Sequence, residues 1–145
     1  MPDVPASAIK TAGELRAVFS RLRRRFREVT DVGDLTPSQT SVLSRLSRFG
    51  PASASELATA ERIRPQSMAA ILAAIDQHGY LRRTQDPHDG RRQLISLTDA
   101  GTAFVEGTRR EREEWLAAAL AADFTEQERQ TILAALVLLD RLAEG

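Results

Sequence analysis

The sequence predicts a mainly α-helical fold that carries one small β-hairpin. Three observations point there. Apolar residues recur at helical spacing along most of the chain. Serine or threonine stands three residues before glutamate or glutamine at Thr36/Gln39, Ser53/Glu56 and Thr125/Glu128, the signature of a capped helix start. One pair of runs reads as strands, YLRRTQ (80–85) and QLISLT (93–98), with a polar tip between them that contains Asp89-Gly90. At 145 residues, 42% apolar and 28% charged, the chain has the size and composition of one globular domain spanning 1–145.

Each element follows from local chemistry. In ELRAVFSRLRRRFREV (14–29), Leu15, Val18, Phe19, Leu22, Phe26 and Val29 form one helical stripe. Arg21, Arg23, Arg24, Arg25 and Arg27 take the other faces, and that basic run reads first as a solvated helix surface. Thr36 caps the next helix with Pro37 at its first position; Val42, Leu43 and Leu46 face inward, and Gly50-Pro51 stops it. Ser53 and Glu56 open a short helix with Leu57 inward. A third helix starts at Arg64-Pro65, buries Met68, Ile71, Leu72 and Ile75, and ends at Gly79.

The hairpin comes next, and Asp89-Gly90 predicts a tight turn with positive φ at its centre. Thr98 caps a long helix from Asp99 to about Ala122, in which Phe104, Val105, Trp115, Leu116 and Leu120 are apolar. Thr125 starts the last helix, with Ile132, Leu133, Leu136, Leu139 and Leu142 in a dense stripe and Ala135, Val137 and Leu138 beside it.

Short helices in tandem, closed by a hairpin, make a winged helix-turn-helix over about 35–98. Helices at about 8–30 and 99–143 flank it. The last of these carries more apolar surface than a solvent-facing tail should, so a second copy of the chain is expected to cover it.

Net charge is zero, but it is segregated. Residues 1–30 carry seven basic and three acidic groups, 61–97 six and four, and 98–145 five and ten. Local field, not net charge, decides which ligand a surface attracts. There is no cysteine, which excludes disulfides, thiolate metal sites and thiol redox sensing. No apolar run approaches the ~18 residues of a membrane span. The start, MPDVPASAIK, lacks a signal-peptide pattern, and a cytoplasmic protein is expected. An enzyme lacks its parts: neither His78 nor His88 has a believable serine or aspartate partner for catalysis, and no glycine loop for phosphate is present. No cofactor is expected, and two histidines make no metal cluster.

The wing DPHDGRRQLISLTDAG (86–101) and the helix pair ELATAERIRPQSMAAI (56–71) resemble the MarR family of transcriptional regulators. The resemblance runs over nearly the whole chain. It implies a homodimer with interleaved terminal helices, whose two winged domains meet successive major grooves of a palindromic operator in double-stranded DNA. It also implies repression as the commoner mode, with release by a small aromatic or phenolic effector bound between the dimer helices and the winged domain.

On this reading the helix at about 64–78 enters the major groove, with Arg64, Pro65, Gln66, Ser67, Ala69 and Ala70 at the exposed end. Gln66 suits adenine, Ser67 a base or a phosphate, and alanine a thymine methyl. The family often has Thr-Arg where this chain has Ala69-Ala70, a departure that removes a base-reading arginine. The wing at about 86–92 reaches the minor groove through Arg91, with Asp89 bracing the turn and Arg92 clamping a phosphate. Ser38 and Gln39, beside the cap Thr36, open a helix placed for backbone contacts. Phe19, Leu22, Phe26 and Trp115 are candidates for an effector pocket, with ordinary packing as the competing reading. The competing function is a winged protein-interaction module that does not read DNA sequence.

Overall fold

The computed structural model describes residues 3–145. Its elements run α1 (Ala6–Val29), α2 (Pro37–Phe49), α3 (Ala54–Glu61), α4 (Pro65–Asp76), β1 (Leu81–Gln85), β2 (Gln93–Leu97), α5 (Asp99–Asp123) and α6 (Glu126–Glu144). The chain divides into two compact units. Residues 30–109 form one; α1, the part of α5 from Arg110, and α6 form the other.

The 30–109 unit is a winged helix-turn-helix around an apolar core. Val42, Leu43 and Leu46 of α2, Leu57 of α3, and Met68, Leu72 and Ile75 of α4 are buried together with Leu35, Ile95 and Val105. These helices begin where the caps say they should. Thr36 accepts from the Gln39 N–H, and the Gln39 side chain returns to the Thr36 N–H, a complete capping box. Ser53 makes only half of one. Its hydroxyl accepts from the Glu56 N–H, but the Glu56 carboxylate turns instead to the Ser53 hydroxyl and to Arg92 of the wing. The stronger charged partner wins the carboxylate.

Strands β1 and β2 pair antiparallel, Leu81 opposite Leu97 through Gln85 opposite Gln93. A contact with no warning in the sequence extends them: Ala52 and Ile95 exchange both backbone hydrogen bonds, at 3.0 and 2.8 Å. The tip also differs from expectation, since neither Asp89 nor Gly90 has positive φ. A two-residue turn would need it, but seven residues, 86–92, separate the last strand pair here. That longer loop closes through side chains. The Asp86 carboxylate accepts from the His88 N–H and the Asp89 carboxylate from the Arg91 N–H, while Gln85 donates to the Gly90 carbonyl at 2.8 Å.

The hairpin is welded to α5 at Thr98. Its N–H donates to the Tyr80 carbonyl, its hydroxyl donates to the Gly79 carbonyl at 2.7 Å, and the same hydroxyl accepts from the Gly101 N–H. Gly101 lies against the Tyr80 backbone so closely that a Cβ there would overlap the Tyr80 carbonyl. His78, Tyr80 and Phe104 stack in sequence, with centroids 5.4 and 4.9 Å apart.

In the other unit, α1 and α6 bury no residue. Val18, Phe19, Leu22, Leu133, Leu136, Val137, Leu138 and Leu142 are exposed, Leu142 at 70% and Val137 at 69%. The α5–α6 corner is tied by Arg129, which donates to the Leu120 and Phe124 carbonyls and pairs with Glu126 at 2.9 Å. Thr125 and Glu128 complete a second capping box. The Glu126 carboxylate accepts from Gln130 and from Arg129, and with the Arg129 charge these hold it below its ordinary value of 4.5.

Gly101→Ala should cost about 1–3 kcal/mol of stability in urea unfolding through overpacking. Gly107→Ala, inside α5 with open space at its Cβ, should instead gain about 0.5–1 kcal/mol. Glu126 titrates lower when folded, so its stabilisation is present above 4.5 and is lost as pH falls through the depressed folded value. Thermal melts between pH 6 and 3 should therefore show a shallower acid decline for Glu126→Gln than for the parent chain.

Candidate nucleic-acid interface

The exposed end of α4 is fixed by its buried side. With Met68 at 0% exposure and Leu72 at 2%, helical periodicity leaves Pro65, Gln66, Ser67, Ala69 and Ala70 exposed, with Arg64 before them. Arg64 is the N-cap, yet its side chain makes no capping bond. The first N–H groups of α4 therefore have no capping partner from the N-cap side chain. Gln66 and Ser67 are the polar groups of this end. Ala69 and Ala70 give it a smooth, methyl-lined middle.

Preceding α4 is the turn of the helix-turn-helix. Arg62 closes α3 in the left-handed region, φ 55° and ψ 44°, and its N–H donates to the Ala58 and Thr59 carbonyls. Among the described residues it is the one non-glycine with positive φ. An L side chain there costs on the order of 1 kcal/mol.

The wing divides its arginines by role. Arg92, the expected phosphate clamp, is held by carboxylates: it pairs with Glu56 of α3 and, at 3.1 Å, with Asp86. Its guanidinium braces the tip against α3. Arg83 of β1 likewise pairs with Asp76 at the end of α4. Arg91 makes no ion pair among the described residues, and its backbone is the part that Asp89 holds. The hairpin is thus anchored by paired arginines and offers an unpaired one at its tip. The sequence showed the tip arginines but could not tell them apart, because Glu56, one of the two partners of Arg92, lies 36 residues away.

At the other end of the motif, Ser38 is exposed and Gln39 half-buried, with the Gln39 amide committed to the cap. Glu61 joins α3 to α2, accepting from Arg45 at 2.9 Å and from the Ser41 hydroxyl at 3.0 Å. These two contacts also escaped the sequence reading.

The four effector-pocket candidates do not come together as one lining. Phe26 and Trp115 meet edge to face at 6.0 Å, with Arg25 over the indole at 5.5 Å. Phe19 lines a separate groove of about 780 Å³ along α1 with Ala8, Leu15 and Leu142. Leu22 is 37% exposed and belongs to the outer stripe of α1. His78 faces Asp34 at 3.3 Å and stacks on Tyr80, while His88 sits exposed on the wing. Among the described residues, no three His, Cys, Asp or Glu side chains group as metal ligands, and no helix is long and apolar enough to cross a membrane.

Comparison with known proteins agrees with this geometry. The MarR family model matches residues 35–92, the segment from the start of α2 to the wing tip. An HTH-type transcriptional regulator of Mycobacterium bovis is 36% identical over 115 residues, which cover 79% of this chain and 80% of that protein. The chain belongs to the MarR family. It is a DNA-binding transcriptional regulator of the winged helix-turn-helix type and not an enzyme. A crystal structure of a proposed transcriptional regulator from Pseudomonas aeruginosa matches with a TM-score of 0.87 at 36% identity, over 98% of this chain and 99% of that one. The Bacillus subtilis transcriptional repressor MdtR is 28% identical over 92 residues, 63% of this chain and 59% of the repressor.

The brace on the wing of this MarR-type chain is open to direct measurement. In a double-mutant cycle of Arg92→Ala and Glu56→Ala, read by urea unfolding, the pair should show a coupling of about 0.2–1 kcal/mol, the range for exposed ion pairs. Additive losses would mean that the two side chains do not act on each other.

Proposed function

We propose that the protein is a homodimeric repressor of a palindromic operator, reading the major groove with α4 and the minor groove with the wing tip. The observation that carries this is the exposed end of α4, Arg64 to Ala70, together with Arg91 at the wing tip, which makes no ion pair among the described residues. Gln66 suits an adenine edge, and Ala69-Ala70 suits thymine methyls. Arg91 suits a narrow A·T minor groove, where negative potential concentrates. Ser38 suits a phosphate at the start of α2.

Dimerisation is supported by the faces that α1 and α6 leave uncovered. A run from Leu133 to Leu142 with five large apolar side chains more than half exposed is what a partner subunit buries. A two-fold dimer places its reading heads about one helical turn apart and so asks for a palindrome. Repression agrees with the name of the Bacillus subtilis relative. Release by a small aromatic or phenolic effector remains part of the proposal, with the apolar groove around Phe19 and the Phe26–Trp115 pair as the surfaces that such a ligand fits. Its energetic basis is tighter binding to a DNA-incompatible conformation.

The test is binding of the purified protein to DNA from upstream of its own gene, over a salt series and against an unrelated duplex. Several phosphate contacts should weaken binding on the order of 10³-fold between 50 and 200 mM salt, and Arg91→Ala should reduce the log–log slope by about 1. Binding that is indifferent to salt and to sequence would favour a protein-interaction module in its place.

A further inference from the structure

We propose that Arg62, in the turn between α3 and α4, is a phosphate-binding residue whose left-handed backbone is retained for the sake of its guanidinium. This rests on the DNA-binding reading above and adds a contact to it. Three observations meet at the residue. Its φ of 55° is a conformation that glycine adopts freely, and the other positive-φ positions among the described residues, Gly33, Gly50 and Gly79, are all glycine. The side chain earns nothing inside the fold: Arg62 is exposed and makes no ion pair among the described residues. Its acidic neighbour Glu61 is already engaged by Arg45 and Ser41, so no local carboxylate neutralises it.

The turn does not need a side chain at this position. The hydrogen bonds that close α3 come from the Arg62 backbone N–H, which glycine would supply equally. What arginine adds is one unpaired positive charge two residues before Arg64, the N-cap of the helix that reads DNA. A strained residue with no internal partner is explained by an external one. The chemistry of a guanidinium at the edge of a DNA-reading helix selects the phosphate oxygens of the backbone, which carry no sequence information.

The experiment compares wild type, Arg62→Gly and Arg62→Lys, by thermal unfolding and by binding to the upstream duplex over the salt series. Arg62→Gly should melt about 3 °C higher, since the backbone is relaxed. The same variant should bind both the upstream and the unrelated duplex several-fold more weakly, with the salt slope reduced by about 1. Arg62→Lys should keep the wild-type slope, because the charge is kept. Arg62→Gly with unchanged affinity and slope would overturn the proposal, and so would a loss of binding that lysine does not restore. Wild type failing to bind either duplex at low salt would overturn the DNA reading itself, an outcome separable from the other two.

Discussion

A helix of twelve residues has room for one buried stripe, and α4 commits its stripe to Met68, Leu72 and Ile75. These meet Val42, Leu43 and Leu46 of α2, Leu57 of α3 and Ile95 of β2 in the same core. Turning α4 by one residue would bring Ala69 in where Met68 now sits and leave a cavity, at a cost of several kcal/mol. The outward direction of Gln66, Ser67, Ala69 and Ala70 is therefore a consequence of packing. Nothing about DNA has to be assumed to orient them. The exposed face of α4 is the reverse side of the core.

The wing inherits its position from the same core. Ile95 is buried at 2% exposure, and its backbone is bridged to Ala52, so the root of β2 is fixed between α2 and α3. Thr98 and Gly101 fix the far end of the hairpin against α5. Beyond Ile95 the hairpin has little apolar material: β1 is exposed from Arg82 to Gln85. Charge takes over there, through Arg83 with Asp76 and Arg92 with Glu56 and Asp86. Such exposed pairs contribute little energy individually. They restrict the directions in which the tip can point, which matters more for a binding arm than for global stability.

Much of this fold is legible in the sequence, since helices announce themselves by period and cap. Thr36 with Gln39, Thr125 with Glu128, and the stripe Met68–Leu72–Ile75 are local signals with local causes. Interactions between distant positions are not legible in that way. The Ser53 box is incomplete because Glu56 answers to Arg92, which no window around residue 53 contains. Asp89-Gly90 has the composition of a tight turn with positive φ, but the number of residues between the last strand pair, not the dipeptide, sets the backbone. Gly101 looks like ordinary helix-start permissiveness until Tyr80 is placed against it. Arg62 reads as one more charge in an arginine-rich chain, and its left-handed φ emerges only with the turn. The exposed faces of α1 and α6 are legible as apolar excess, because sequence composition records apolar surface whether or not the chain itself covers it.

A chain of zero net charge can still serve a polyanion, and the ion pairs explain how. Within residues 30–109 the carboxylates Glu56, Glu61, Asp76 and Asp86 are each engaged by an arginine. A carboxylate so engaged is locally neutralised, and its repulsion of a phosphate falls off steeply with distance in salt. Six arginines of this unit have no such partner among the described residues; three of them, Arg62, Arg64 and Arg91, lie in the turn, at the N-cap of α4 and at the wing tip. Acidic and basic residues thus cancel in the sum but not at the surface. The pairs stiffen the frame and leave Arg48, Arg62, Arg64, Arg82, Arg91 and Arg109 of this unit without an ion-pair partner among the described residues.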